Sequence, residues 1–165
     1  MKFVEIRKSK INGTGVFALR NFLKKEIILF LDGEIWKKKN YEEYDENLDP
    51  RGGPISRCDK YNYFLKSNSS WVYINHNCDS NSGLINDKTL VAKRDIKKGE
   101  EITQDYSTLD IEAIKGGKKR LDMECECGST KCRRIITSFD LLDEKIKCEL
   151  ITYVNSAVIK LYDLK

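Results

Sequence analysis

Cys125, Cys127 and Cys132 fall within eight residues, around Gly128-Ser129. No other stretch limits so strongly what this chain can fold into, because such a segment makes a loop that wraps a metal. Thiolates in a closed tetrahedral shell suit zinc, and three of them leave one corner open. The only histidine, His76, is far away in sequence, so the candidates for the fourth ligand are Cys58, Cys78 and Cys148. Cys58 lies in a variable region, and Cys148 falls inside a helical pattern where an ordinary thiol is expected. Cys78 sits in the polar run Asn75-His76-Asn77-Cys78-Asp79-Ser80-Asn81, between Trp71-Val72-Tyr73-Ile74 and Gly83-Leu84-Ile85. Such a run is a rigid loop between buried segments, and Cys78 is the expected fourth ligand. One structural zinc ion contributes on the order of 10 kcal/mol to folding. It would tether the C-terminal segment to the central loop.

The preference for metal over disulfides rests on compartment. No apolar run approaches the roughly 18 residues of a membrane span, and the charged start Met1-Lys2-Phe3-Val4-Glu5 does not resemble a secretory signal. The expectation is an intracellular protein, neither secreted nor membrane-bound, whose six cysteines stay reduced. With 165 residues, 40 % hydrophobic and 34 % charged, one ordinary globular domain is expected. The net charge of +4 is mild, and the runs Lys37-Lys38-Lys39 and Lys118-Lys119-Arg120 read as solvated surface. No direct nucleic-acid binding is expected.

Along the chain, strands are predicted near residues 3–6, 16–19, 27–31, 35–36 and 61–65. A further hairpin is predicted from 89–92 and 101–106, with Lys97-Lys98-Gly99-Glu100 as its turn. Residues 37–57 form a variable polar insert with a short helix over 40–47, and Gly116-Gly117 marks a linker over 111–122. From Asp140 the period changes. Leu142, Ile146, Leu150, Tyr153, Ala157 and Leu161 fall at steps of three and four, predicting one amphipathic helix within 137–165, capped by Asp140. A single histidine excludes His-pair metalloenzymes, and no phosphate-binding loop, HExxH or dinucleotide fingerprint is present.

Four motifs, in order, resemble the SET-domain protein lysine methyltransferases. Tyr73-Ile74-Asn75-His76-Asn77-Cys78-Asp79-Ser80-Asn81 is similar to their Asn-His-x-Cys motif. The segment 91–106, ending in Gln104-Asp105-Tyr106, resembles their second signature. Gly13-Thr14-Gly15-Val16 matches the N-terminal Gly-x-Gly loop, and Asp32-Gly33-Glu34 the Gly-Glu turn. Cys125-Glu126-Cys127-Gly128-Ser129 with Cys132-Arg133 is similar to the post-SET zinc loop.

The resemblance implies a mainly β (α+β) fold of small twisted sheets with a pseudoknot. The SET domain would span 1–110, the zinc loop 123–136, and a C-terminal helix would follow. It implies S-adenosylmethionine held by the backbone of Asn12, Gly13 and Thr14, by Asn75 at the amino group, and by the main chain of His76 at the adenine edge. Tyr106 would be the catalytic tyrosine, Tyr61 and Tyr63 would line a lysine channel, and Gln104 would stand where methyl number is tuned. Cys78 would complete the zinc shell with Cys125, Cys127 and Cys132. The implied partner is a protein presenting a lysine, in the cytoplasm or on chromatin. Gln104, Val72, Ser80 and Leu31 depart from the family pattern. The departures at 104 and 72 keep a non-catalytic interaction module in view, beside a methyltransferase for a small amine.

Overall fold

The computed structural model describes residues 3–32, 34–38, 53–58, 61–66, 70–109 and 123–163, of which 34–38, 53–58, 61–66, 157 and 161–163 are described by backbone alone. The expected helix over 40–47 and the linker over 111–122 lie outside the described residues.

The architecture is mainly β, in four small sheets. The sheet that matters most has the order β1 (Val4–Lys8), β2 (Thr14–Ala18), β10 (Glu101–Gln104) and β7 (Asn75–His76). Strands β1 and β2 form an antiparallel hairpin, and β10 lies antiparallel to β2 at Glu101 and Ile102. The last two residues of β10, Thr103 and Gln104, pair in parallel with Asn75 and His76. Three segments distant in sequence thus converge side by side. β2 is covered on both faces, which is why Val16, Phe17 and Ala18 are all buried in place of an alternating pattern.

A second sheet orders β3 (Ile27–Phe30), β9 (Thr89–Ala92) and β8 (Ser82–Ile85). A third orders β4 (Glu34–Lys38), β6 (Tyr61–Lys66) and β5 (Gly53–Cys58), and β11 (Met123–Glu124) pairs with β12 (Ile135–Ile136). Val16, Phe22, Ile28, Leu84, Leu90, Ile96 and Ile102 form the main core.

The predicted hairpin between 89–92 and 101–106 does not form. β9 pairs with β3 and β8, while both edges of β10 are taken by β2 and β7. The connecting residues cross between sheets, bridged at Phe22 and Ile96, and Gly99 turns at φ +84° to donate its N–H to Ala18 O. Asn81, 2 % exposed, explains how β10 is held where strand pairing stops. Its Oδ1 accepts Thr103 N–H at 2.9 Å and its Nδ2 donates to Glu101 O at 2.7 Å, so one side chain imitates a neighbouring strand.

The single C-terminal helix is also corrected. Two helices appear, α1 (Glu144–Leu150) and α2 (Ser156–Asp163), and the residue preceding α1 is Asp143, not Asp140. Val154 is extended (φ −81°, ψ 139°), and Asn155 N–H leaves the helical ladder to bond Thr108 O at 3.0 Å. Asp87 then accepts Ser156 N–H at 2.7 Å, a cap delivered from another part of the chain. The break preserves burial: Phe139, Leu142, Leu150, Val154 and Val158 still form one small core. No helix among the described residues is long and apolar enough to cross a membrane.

Candidate active site and thiol cluster

The turn between β1 and β2 brings backbone oxygens to Asn75. Its Nδ2 lies 3.1 Å from Asn12 O, 3.1 Å from Thr14 O and 2.9 Å from Glu101 Oε1. Three acceptors around one nitrogen fix the orientation of the amide. They use its hydrogens, and Oδ1 keeps its accepting lone pairs. Glu101 is itself held by Ser9 Oγ at 2.8 and 2.9 Å. A Cβ on Gly15 would sit 2.2 Å from Glu101 Oε1, so a larger residue there must displace that carboxylate from its place beside Asn75. Gly13 answers a different demand, a φ of +43° with open space around it. Sequence reasoning singled out Asn12, Gly13, Thr14 and Asn75 and missed Ser9 and Glu101. The second of two adjacent glutamates carries no local signal that it turns inward.

His76 is 5 % exposed. Its Nδ1 accepts the N–H of Tyr106 at 3.1 Å, so the proton of the neutral ring sits on Nε2, 3.2 Å from Cys78 Sγ. Burial, opposed by Asp105 and aided by Arg133, pushes its pKa down to about 4. The imidazole therefore has its own structural task, orienting Tyr106, beyond the main-chain role expected for this residue. The Tyr106 hydroxyl donates to Ile74 O at 2.8 Å, and burial raises its pKa to about 12.

Asp105, 1 % exposed, receives a forked pair from Arg133: Nη1 to Oδ2 at 2.7 Å and Nη2 to Oδ1 at 2.7 Å. Ser80, one of the departures, is buried and accepts Lys93 Nζ at 3.0 Å.

The thiols of Cys78, Cys125, Cys127 and Cys132 converge, with all sulfurs within 4.8 Å of one another. A tetrahedron with Zn–S bonds of about 2.3 Å has sulfurs ~3.8 Å apart. Cys78 and Cys125 are 3.7 Å apart. Cys148 is exposed and apart from this group, and the Cys58 side chain lies outside the described residues. The loop closes through Cys125 N–H to Arg134 O at 2.7 Å and Cys132 N–H to Ser129 O at 3.1 Å, with Gly128 (φ 75°) and Arg134 (φ 67°) in the left-handed region. Burial raises the Cys78 and Cys125 thiols, whereas the Arg134 backbone N–H foremost draws Cys132 down to about 7. A divalent cation at the centre favours deprotonation of all four. The donor set and spacing are compatible with zinc.

Between the two features opens a cavity of about 330 Å³. Asn12, Asn75, His76 and Tyr106 form one side, and Met123, Glu124 and the loop Cys125–Cys127 the other. Gln104 is not among its lining residues. It is buried, its backbone carbonyl accepts Asn77 N–H at 3.1 Å, and its Nε2 has no hydrogen-bond partner among the described residues. Tyr61 and Tyr63 occupy β6, opposite Cys58 and Ser56 of β5, and their side chains lie outside the described residues.

This arrangement belongs to a known class. The SET domain family model matches residues 13–107, more than half of the chain, and the chain belongs to that family. Among its relatives, the variant-silencing SET domain-containing protein of Plasmodium falciparum is 29 % identical over 80 % of this chain and 6 % of its own length. Histone-lysine N-methyltransferase set1 of Dictyostelium discoideum is 30 % identical over 82 % of this chain and 9 % of its own. Histone-lysine N-methyltransferase ASHH3 of Arabidopsis thaliana is 31 % identical, over 81 % and 37 % respectively. The chain thus spans well under half the length of these relatives.

Proposed function

We propose that this SET domain transfers a methyl group from S-adenosylmethionine to a lysine side chain of a protein. The observation that carries the reading is the cavity walled by Asn12, Asn75, His76 and Tyr106 on one side and the thiol loop on the other. Asn75 Oδ1, left open by the engagement of Nδ2, would accept from the ammonium of the methionine moiety, while the backbone of residues 12–14 flanks it. Bound there, S-adenosylmethionine supplies a methyl on a positively charged sulfur, open to in-line displacement. Cys78, Cys125, Cys127 and Cys132 would hold one structural zinc ion in a shell with no open position.

The chain's own contribution is placement and electrostatics. An acceptor lysine of pKa ~10.4 must shed its proton first, at about 4–5 kcal/mol near neutral pH. Tyr106 does not take that proton: its phenol, held up to about 12, stays protonated wherever the lysine titrates. With its hydrogen on Ile74 O, the phenolic oxygen keeps lone pairs that would position the amine. The histone-lysine names of the relatives make histone tails the first acceptors to try.

The test is radiolabel transfer from S-adenosylmethionine to histones and to whole-cell protein, beside calorimetry for cofactor binding. Tyr106→Phe should bind the cofactor and lose most transfer. An absence of cofactor binding in the parent protein would leave the zinc-stabilised interaction module. Turnover without any protein acceptor would point to a small amine.

A further inference from the structure

Arg133 follows one cluster cysteine directly and bonds a second. Its backbone N–H donates to Cys78 Sγ at 3.3 Å. Its guanidinium leaves the loop and grips the chain on both sides of Tyr106. It makes the fork to Asp105 and a third bond, Nη2 to Ser107 Oγ at 3.1 Å. Asp105 Oδ1 also accepts Ser107 N–H at 3.1 Å and stands 3.7 Å from His76 Nδ1, the atom that accepts Tyr106 N–H. The backbone of Tyr106 is thereby fixed from three directions, and two of them originate in a residue of the thiol loop. Asp105 is fully buried and the Arg133 side chain is 14 % exposed, so the pair is partly shielded from salt and solvent.

We propose that Arg133 is a positioning residue that couples the thiol–metal centre to Tyr106, so that metal occupancy sets the placement of the Tyr106 hydroxyl. The inference rests on the methyltransferase reading for its consequence in turnover, but not for its geometry. When four thiolates share a cation, the backbone of 125–134 is pinned and the guanidinium is delivered to Asp105 at one distance and angle. The fork matters beyond the charge: a lysine at 133 reaches Asp105 as a point contact and drops the bond to Ser107. Coupling of this kind is reciprocal, so a ligand that orders Tyr106 also tightens the metal.

The experiment uses Arg133→Lys in the full chain with metal bound. The expected result is the parent's metal content, a KM for S-adenosylmethionine within about threefold, and kcat lower by roughly 10–100-fold, as for other residues acting behind a site. Unchanged kcat overturns the proposal. So does loss of metal in the variant, which assigns Arg133 to loop assembly instead. A second readout needs no turnover. With ¹³C-labelled tyrosine rings and the Tyr106 signal assigned through Tyr106→Phe, chelating the metal should shift that signal in the parent. Arg133→Lys should show a similar shift with metal still bound. A Tyr106 signal indifferent to both treatments overturns the coupling even if the parent proves inactive on every acceptor. Should Arg133→Lys not fold, Asp105→Asn carries the same expectations.

Discussion

At the scale of single residues, the site is built by close approaches that tolerate little change. Gly15→Ala should push Glu101 away from Asn75, since the added Cβ would lie 2.2 Å from its carboxylate oxygen. The expected outcome is cofactor affinity lower by at least about tenfold with a stability loss of roughly 1–3 kcal/mol, read by calorimetry and urea unfolding. Gly13→Ala meets nothing within 4 Å and should cost only about 1 kcal/mol of backbone strain. His76 supplies a pH dependence. Its folded pKa of about 4 lies below the ordinary 6.5, so the unfolded chain binds more protons between those values. The stability gained by keeping the ring neutral is complete above pH 6.5 and is lost as pH falls toward 4, on the order of 3 kcal/mol. Without metal, the parent should therefore lose more stability than His76→Gln between pH 7 and 4.5, as read by urea unfolding. Much of this site was legible, because Asn75, His76 and Tyr106 stand in compact motifs. Glu101 and Arg133 were not, because their roles depend on partners 26 and 28 residues away that no local pattern announces.

At the scale of elements, period gave the strands but not their pairing. Residues 89–92 and 101–104 both read as strands with a turn between them, yet pairing with β2 and β7 along both edges of β10 leaves them in different sheets. The C-terminal period likewise marked the buried face correctly at Leu142 and Leu150 but could not show that Asn155 would spend its N–H on Thr108. Among the contacts that dock the tail are Asn155 on Thr108, Ser156 on Asp87, and Tyr153 against Gly83, where a Cβ would lie 2.6 Å from the ring. Asp87→Ala should lower stability by about 1 kcal/mol through loss of the cap on α2. Gly83→Ala should cost more, roughly 1–3 kcal/mol, by displacing Tyr153. Thermal melts of the two variants give the order.

At the scale of the whole molecule, the thiol cluster joins the tail to the central sheet and walls the cavity. Cys78→Ser should lower metal content, measured by a colorimetric chelator, and Cys148→Ser should leave it at the parent's level. Metal removal should weaken S-adenosylmethionine binding at least about tenfold, because the loop Cys125–Cys127 forms one wall of the cavity. The central place of β10 has a further consequence, during synthesis. Its neighbours β2 and β7 have no partner on that side until Glu101–Gln104 has left the ribosome. Until then β2, with its apolar Val16 and Phe17, is paired along one edge only and β7 along neither, and the sheet closes only when β10 arrives.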